Sequence, residues 1–186
     1  MPRFAANISM MYPEHPLLDR IAAAARDGFA AVEVQGPYEA GAEDVARALR
    51  DTRMQLVLMN APAGDAAVGD RGLAALPGRE REFDDAVTRA LDYARTVGAP
   101  RVHFQAGRPD PQAAPAEVLK TYLRNLTLAC DRLRPHGIAV MIEPINTRDV
   151  PGYYLTHQQQ AADVIAVLKK DNLRLQMDLY HMQIME

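Results

Sequence analysis

Two carboxylates stand where packing alone has no use for them. The apolar run 138–142, "IAVMI", climbs straight into Glu143, and "LRLQMD" at 173–178 ends on Asp178, with His181 three residues further on. Carboxylates at equivalent strand ends repel each other unless a cation or a shared proton lies between them. Hard oxygen donors on a rigid rim suit Mg²⁺ or Mn²⁺, and a nearby imidazole keeps a softer divalent metal open. Two carboxylates are too few for a closed site, so further ligands have to come from elsewhere. The other histidines carry less. His103 lies inside an apolar run and reads as a satisfied core residue, while His15, His136 and His157 fall at helix starts or in loops. The chain has no GxGxxG, no GxxxxGK[ST], no GxSxG and no HExxH, so nucleotide, acyl-enzyme and zinc-protease chemistries lack their usual marks.

Positioning such groups takes a rigid frame, and the apolar pattern supplies one. Six short runs read as strands: "RFAANIS" (3–9), "AAVEVQ" (30–35), "QLVLMNA" (55–61), "RVHFQAG" (101–107), "AVMIEPI" (139–145) and "LRLQMD" (173–178). Between them the apolar residues recur at helical spacing. Leu18, Ile21 and Ala25 lead to Gly28, a C-cap residue, and Phe83, Val87, Ala90, Ala94 and Val97 form a later stripe. Thr156 and Gln159 stand at capping-box spacing ahead of Ala162, Ile165 and Leu168. Leu119, Leu123, Leu126, Cys130 and Leu133 share another stripe, which makes the cysteine a core residue. Strand and helix in strict alternation imply a parallel α/β architecture.

In such folds the active site lies at the C-terminal ends of the strands. Asn7, Glu33, Asn60, Gln105, Glu143 and Asp178 each arrive as an apolar run finishes, so the sequence predicts one polar rim with Asn7 and Asn60 among its substrate contacts. After Asn60 a connection of about eighteen residues, 61–78, carries Asp65, Asp70 and Arg71 where two to six residues would suffice, which predicts a functional loop.

Composition narrows the class. At 186 residues, 48% of them apolar and 24% charged, the chain reads as a single globular domain over 1–186. A net charge of −3 gives no electrostatic reason for nucleic acid or an anionic membrane as partner. No stretch approaches the roughly 20 apolar residues a membrane span needs, and the N-terminus lacks the apolar core of a signal peptide. A single cysteine excludes a disulfide framework and points to the cytoplasm.

Longer stretches carry a resemblance. "RFAANISMMYPEHPLLDRIAAAARDGFAAVEV", "NAPAGD", "RGLAALPGREREF", "IEPINTRDVPGYYLT" and "MDLYHMQIME" resemble the hydroxypyruvate isomerase family, with its 2-oxo-tetronate isomerase relatives, among the xylose-isomerase-like proteins. The resemblance implies a (β/α)8 TIM barrel, of which this chain supplies about six β/α units. It implies an isomerase of the aldose–ketose type that interconverts hydroxypyruvate and tartronate semialdehyde through an enediolate. Carried over by residue, Glu143 is metal ligand and acid/base, Asp178 a metal ligand, His181 a substrate contact, and Asp149 falls at a substrate-binding acid. A small hydroxy-carbonyl acid calls for an arginine to meet its carboxylate. Arg71, Arg79 and Arg148 are the candidates, with Arg71 favoured for its place on the long loop. In the family two further ligands, including a second catalytic glutamate, come from the last two strands, which here would lie beyond Glu186. The expectation is therefore a C-terminally incomplete barrel whose edge strands expose Phe4, Leu173 and Leu175 and invite homo-oligomers. A second reading keeps the fold as a non-catalytic, small-molecule-binding remnant. A third, an abasic-site endonuclease, expects a basic groove and a histidine-rich zinc cluster, which this acidic sequence does not show.

Overall fold

The computed structural model describes residues 3–186. Among them the order is β1 (Ala6–Asn7), α1 (Leu17–Arg26), β2 (Ala31–Val34), α2 (Ala42–Thr52), β3 (Gln55–Asn60), α3 (Glu80–Val97), β4 (Arg101–His103), α4 (Pro115–Leu133), β5 (Ala139–Ile142), α5 (Gln158–Leu168), β6 (Leu173–Leu175) and α6 (Leu179–Met185). The six strands form one sheet in the order β1-β2-β3-β4-β5-β6, and every neighbouring pair is parallel. This is the curved wall of a β/α barrel. Each ladder is shorter than the apolar run that announced it. The run at 101–107 pairs only through His103, and Ala106 turns aside to bridge Gly72 of the long loop.

α3 closes and α4 opens where the sequence punctuates them. α3 buries Phe83, Ala86, Val87, Ala90, Ala94 and Val97 against the sheet and stops at Gly98, whose φ of 72° is the left-handed region glycine enters freely. Pro115 opens α4, where a missing N–H costs nothing. The rings of Phe83 and Phe104 meet at 5.6 Å between helix and sheet, and burying each contributes about 1.5–3 kcal/mol.

Three local expectations need correcting, those for α4, α5 and Leu173. Cys130 is buried, but Leu119 is 43% exposed: the stripe of α4 runs instead through Val118, Tyr122, Leu126, Ala129, Cys130 and Leu133. His157, not Thr156, is the N-cap of α5, and Gln160, not Gln159, reaches back to accept from the Thr156 N–H at 3.0 Å. The loop 61–78 is packed into the fold: its own Leu73, Ala74, Ala75 and Leu76 are buried, and Arg79 grips Asp70 with two hydrogen bonds of 2.7 and 2.8 Å. At the sheet edges Phe4 is 72% exposed as expected, whereas Leu173 is buried in the hydrophobic core. Among the described residues no helix is long and apolar enough to cross a membrane.

Candidate active site

Parallel register carries the strand ends to one level. Asn7 pairs with Glu33, Asn60 with His103 and Ile142 with Leu175, so side chains two residues apart on each strand point to the same inner face. Asn7, Glu33, Asn60, Gln105, Glu143 and Asp178 all line one cavity of about 440 Å³, which Gln176, Asp149, Tyr180 and His181 complete. A groove of similar size, about 470 Å³, runs between α2 and α3 past Asp85, Arg89 and Tyr93, but it holds no cluster of ligating groups.

Glu143 leaves β5 just past its last paired residue and is 8% exposed. The ladder is prolonged by one bond, from the Gln176 N–H to the Ile142 carbonyl at 2.9 Å, and this sets the Gln176 amide beside Glu143. Gln176 Nε2 then donates to Glu143 Oε1 at 3.1 Å. Behind the carboxylate lies His103, its Nδ1 3.5 Å from Glu143 Oε2. His103 is buried as expected but is not satisfied, since neither ring nitrogen has a hydrogen-bond partner. Burial lowers it to about 3, so a neutral ring faces Glu143 and no cation balances the acid. Burial first, and then the charges of Asp178 and Glu33, push Glu143 up to about 8 against the opposing bond from Gln176. Glu33 is raised as well, by its own burial and by Asp178.

Asp178 serves two structures at once. As N-cap of α6 it accepts from the Tyr180 N–H through Oδ1 at 2.8 Å, and its Oδ2 lies 3.8 Å from His181 Nε2. One ligand atom each from Glu143, Asp178 and His181 falls within 4.8 Å of the others. The cavity lining contains four acids and neither lysine nor arginine. Carboxylate oxygens beside an imidazole, around a buried acid without a counter-charge, fit a divalent cation.

The remaining predicted residues divide. Asp149 lines the cavity and accepts from Asn146 Nδ2 at 3.0 Å and from the Tyr180 hydroxyl at 2.7 Å, bonds that hold its carboxyl below the usual range. Asn7 takes the Ser9 N–H on Oδ1 at 3.1 Å, and the Asn60 carbonyl accepts from the Tyr38 hydroxyl at 2.8 Å. Arg71 lies outside the lining, one residue before the Gly72 bridge to Ala106, with Nη1 on the Asp70 carbonyl at 2.8 Å. Sequence reasoning missed Gln176, Tyr180 and Asn146. The last is fully buried inside "EPIN", where an amide closing an apolar run was the available signal.

Comparison with known proteins agrees with this geometry. Residues 21–186 match the family model described as xylose isomerase-like TIM barrel. The chain is 49% identical to a 2-oxo-tetronate isomerase of Cupriavidus necator and 40% identical to the hydroxypyruvate isomerase of Escherichia coli K12, each time over its whole length and 72% of the relative's. A crystal structure from Brucella melitensis, described as AP endonuclease, family 2, superposes with a TM-score of 0.97 at 43% identity, over all of this chain and 72% of that one. Parallel β/α units, acids gathered at the strand ends and these matches lead to one assignment: the chain belongs to the xylose isomerase-like TIM barrel family.

Proposed function

We propose that the protein is an isomerase that moves a proton between adjacent carbons of a small hydroxy-carbonyl acid, interconverting hydroxypyruvate and tartronate semialdehyde, with Glu143 as acid/base. One observation carries the reading: Glu143 is a buried carboxyl at a strand end, aimed into a polar cavity beside Asp178 and His181. An acid/base must lie within reach of the proton it moves, and the end of β5 places Glu143 at the cavity wall. Glu143 and Asp178 would hold a divalent cation, Mg²⁺ or Mn²⁺ by their hard oxygens. When bound, that ion supplies electrostatic stabilisation for negative charge developing on the substrate oxygen. Glu143 takes the proton from one carbon and returns it to the next, while the Gln176 amide holds its Oε1 in place. Asn7, Asn60, Asp149 and His181 position the hydroxyl and carbonyl oxygens, and Arg71 meets the carboxylate from the loop.

The acidic lining, with no lysine or arginine, favours a small substrate over a phosphodiester backbone. A second substrate, 2-oxo-tetronate, is favoured by the name of the Cupriavidus relative. The single, buried cysteine supports a reducing cytoplasm as the setting. The test combines Mg²⁺ and Mn²⁺ titration with turnover assays on both substrates. Glu143→Gln should lower turnover by at least about 10²-fold, the low end for loss of a general acid/base. Native turnover in that variant, with metal still bound, would remove Glu143 from the reaction.

A further inference from the structure

His181 stands within reach of Glu143 and Asp178, so it could serve as a ligand or as a hydrogen-bond donor. Which it is depends on which ring nitrogen carries the proton, and a residue outside the cavity decides that. Asn146 is fully buried. Its Oδ1 accepts from the Asp149 N–H at 2.8 Å, and its Nδ2 donates to Asp149 Oδ2 at 3.0 Å. Reversing the amide would set its NH₂ against the Asp149 N–H and its oxygen against the Asp149 carboxylate, so the orientation is fixed from both ends. The same Nδ2 lies 2.7 Å from His181 Nδ1, and the Asn146 backbone N–H points at that nitrogen as well, at 3.4 Å. Two donors face Nδ1, which can then only accept.

We infer that Asn146 is a positioning residue that fixes the neutral His181 ring as the Nε2–H tautomer, so that His181 presents a hydrogen-bond donor to a substrate oxygen and is not a metal ligand. Coordination through Nε2 requires that nitrogen's lone pair, and freeing it would move the proton to Nδ1, directly against the Asn146 amide. Nε2 is 3.8 Å from Asp178 Oδ2, too far for a hydrogen bond, so its N–H remains available to the cavity. The remaining neighbours agree with this arrangement. Tyr180 lies beside the imidazole at 5.3 Å between ring centroids and directs its hydroxyl to Asp149, which keeps Asp149 an acceptor toward Asn146. The chain of donation thus runs from Tyr180 and Asn146 into Asp149 on one side, and from Asn146 into His181 on the other. The substrate partner it selects is an oxygen that gains negative charge, a carbonyl or hydroxyl of the hydroxy-carbonyl acid, because a fixed N–H donor binds such an atom more strongly as the charge grows.

This role rests on the proposed isomerase reading, but its test does not. Long-range ¹H–¹⁵N correlation spectra of the metal-free, substrate-free protein distinguish a protonated ring nitrogen from a bare one by shift. With five histidines in the chain, the signal lost in His181→Gln identifies the ring. The expected result is a bare Nδ1 and a protonated Nε2. Exchanging amide and acid in the paired variant Asn146→Asp with Asp149→Asn reverses the polarity, and the proton should move to Nδ1. Zn²⁺, which takes imidazole readily, should leave the wild-type Nε2 proton in place. A bare Nε2 in the wild type, an unmoved proton in the paired variant, or loss of the Nε2 proton on adding Zn²⁺ would each overturn the assignment. Absence of isomerase turnover with the Nε2–H tautomer intact would instead count against the proposed reaction alone.

Discussion

At the scale of single residues, Glu143 links stability to pH. Its carboxyl titrates near 4.5 when exposed and is pushed up to about 8 in the fold, chiefly by burial. Between those values the folded protein holds a proton that the unfolded chain releases, so folding stability falls as pH rises through the window. The metal-free protein should therefore lose thermal stability relative to Glu143→Gln as pH rises from about 5 to about 8, because the amide has no proton to lose. Taking the difference between the two proteins cancels the titrating groups that do not interact with Glu143, while Asp178 and Glu33, which do, stay in it. Saturating Mn²⁺ should flatten it, since the cation holds the carboxylate ionised. Arg71 gives a second prediction. Arg79 is engaged with Asp70 and Glu82, whereas Arg71, exposed on the loop one residue before the Gly72 bridge, makes one bond, to a carbonyl. A charge-assisted bond to a carboxylate contributes roughly 1.5–3 kcal/mol, so Arg71→Ala should raise KM about tenfold or more with kcat little changed. An unchanged KM would take Arg71 out of the substrate's path.

At the scale of elements, the connection between β3 and α3 behaves as part of the scaffold. Gly72 has φ of 122°, and a Cβ placed on it would lie 2.3 Å from the Gln105 carbonyl oxygen. Glycine is required there twice over, for the backbone angle and for the approach to the Gln105 backbone. Gly72→Ala should lower stability by about 1–3 kcal/mol and open the loop to limited proteolysis near 61–78. A variant with native melting temperature and native protection would show that the docking of this loop is incidental.

At the scale of the whole molecule, the sheet is open among the described residues. β1 pairs only with β2 and β6 only with β5, so each leaves a row of unpaired N–H and C=O groups. Large apolar side chains lie exposed near both edges, with Phe4 and Met10 by β1 and Met177 and Leu179 by β6. Open edges of this kind pair with other chains. Residues 1–186 in isolation should therefore self-associate in a concentration-dependent way, which sedimentation measures directly. A monodisperse monomer at high concentration would mean that the edges are protected by another device.

Strand and helix identity, their alternation and the rim of strand-end polar residues were all legible in the sequence, because each depends on spacing along a single element. The periodicity of Phe83, Val87 and Ala90 states which face of α3 is buried, and Glu143 after "IAVMI" states where a strand ends. Specific motifs further tied those residues to a family. What tertiary structure alone decided is who meets whom. The distance from Glu143 to His103 depends on the register of β4 against β5, and the orphaned His103 ring depends on what packs around it. The hold of Asn146 on His181 joins residues 35 positions apart through a turn and a helix start. Spacing fixes direction along one element, whereas contact between elements is set by packing and register, which are written only in three dimensions.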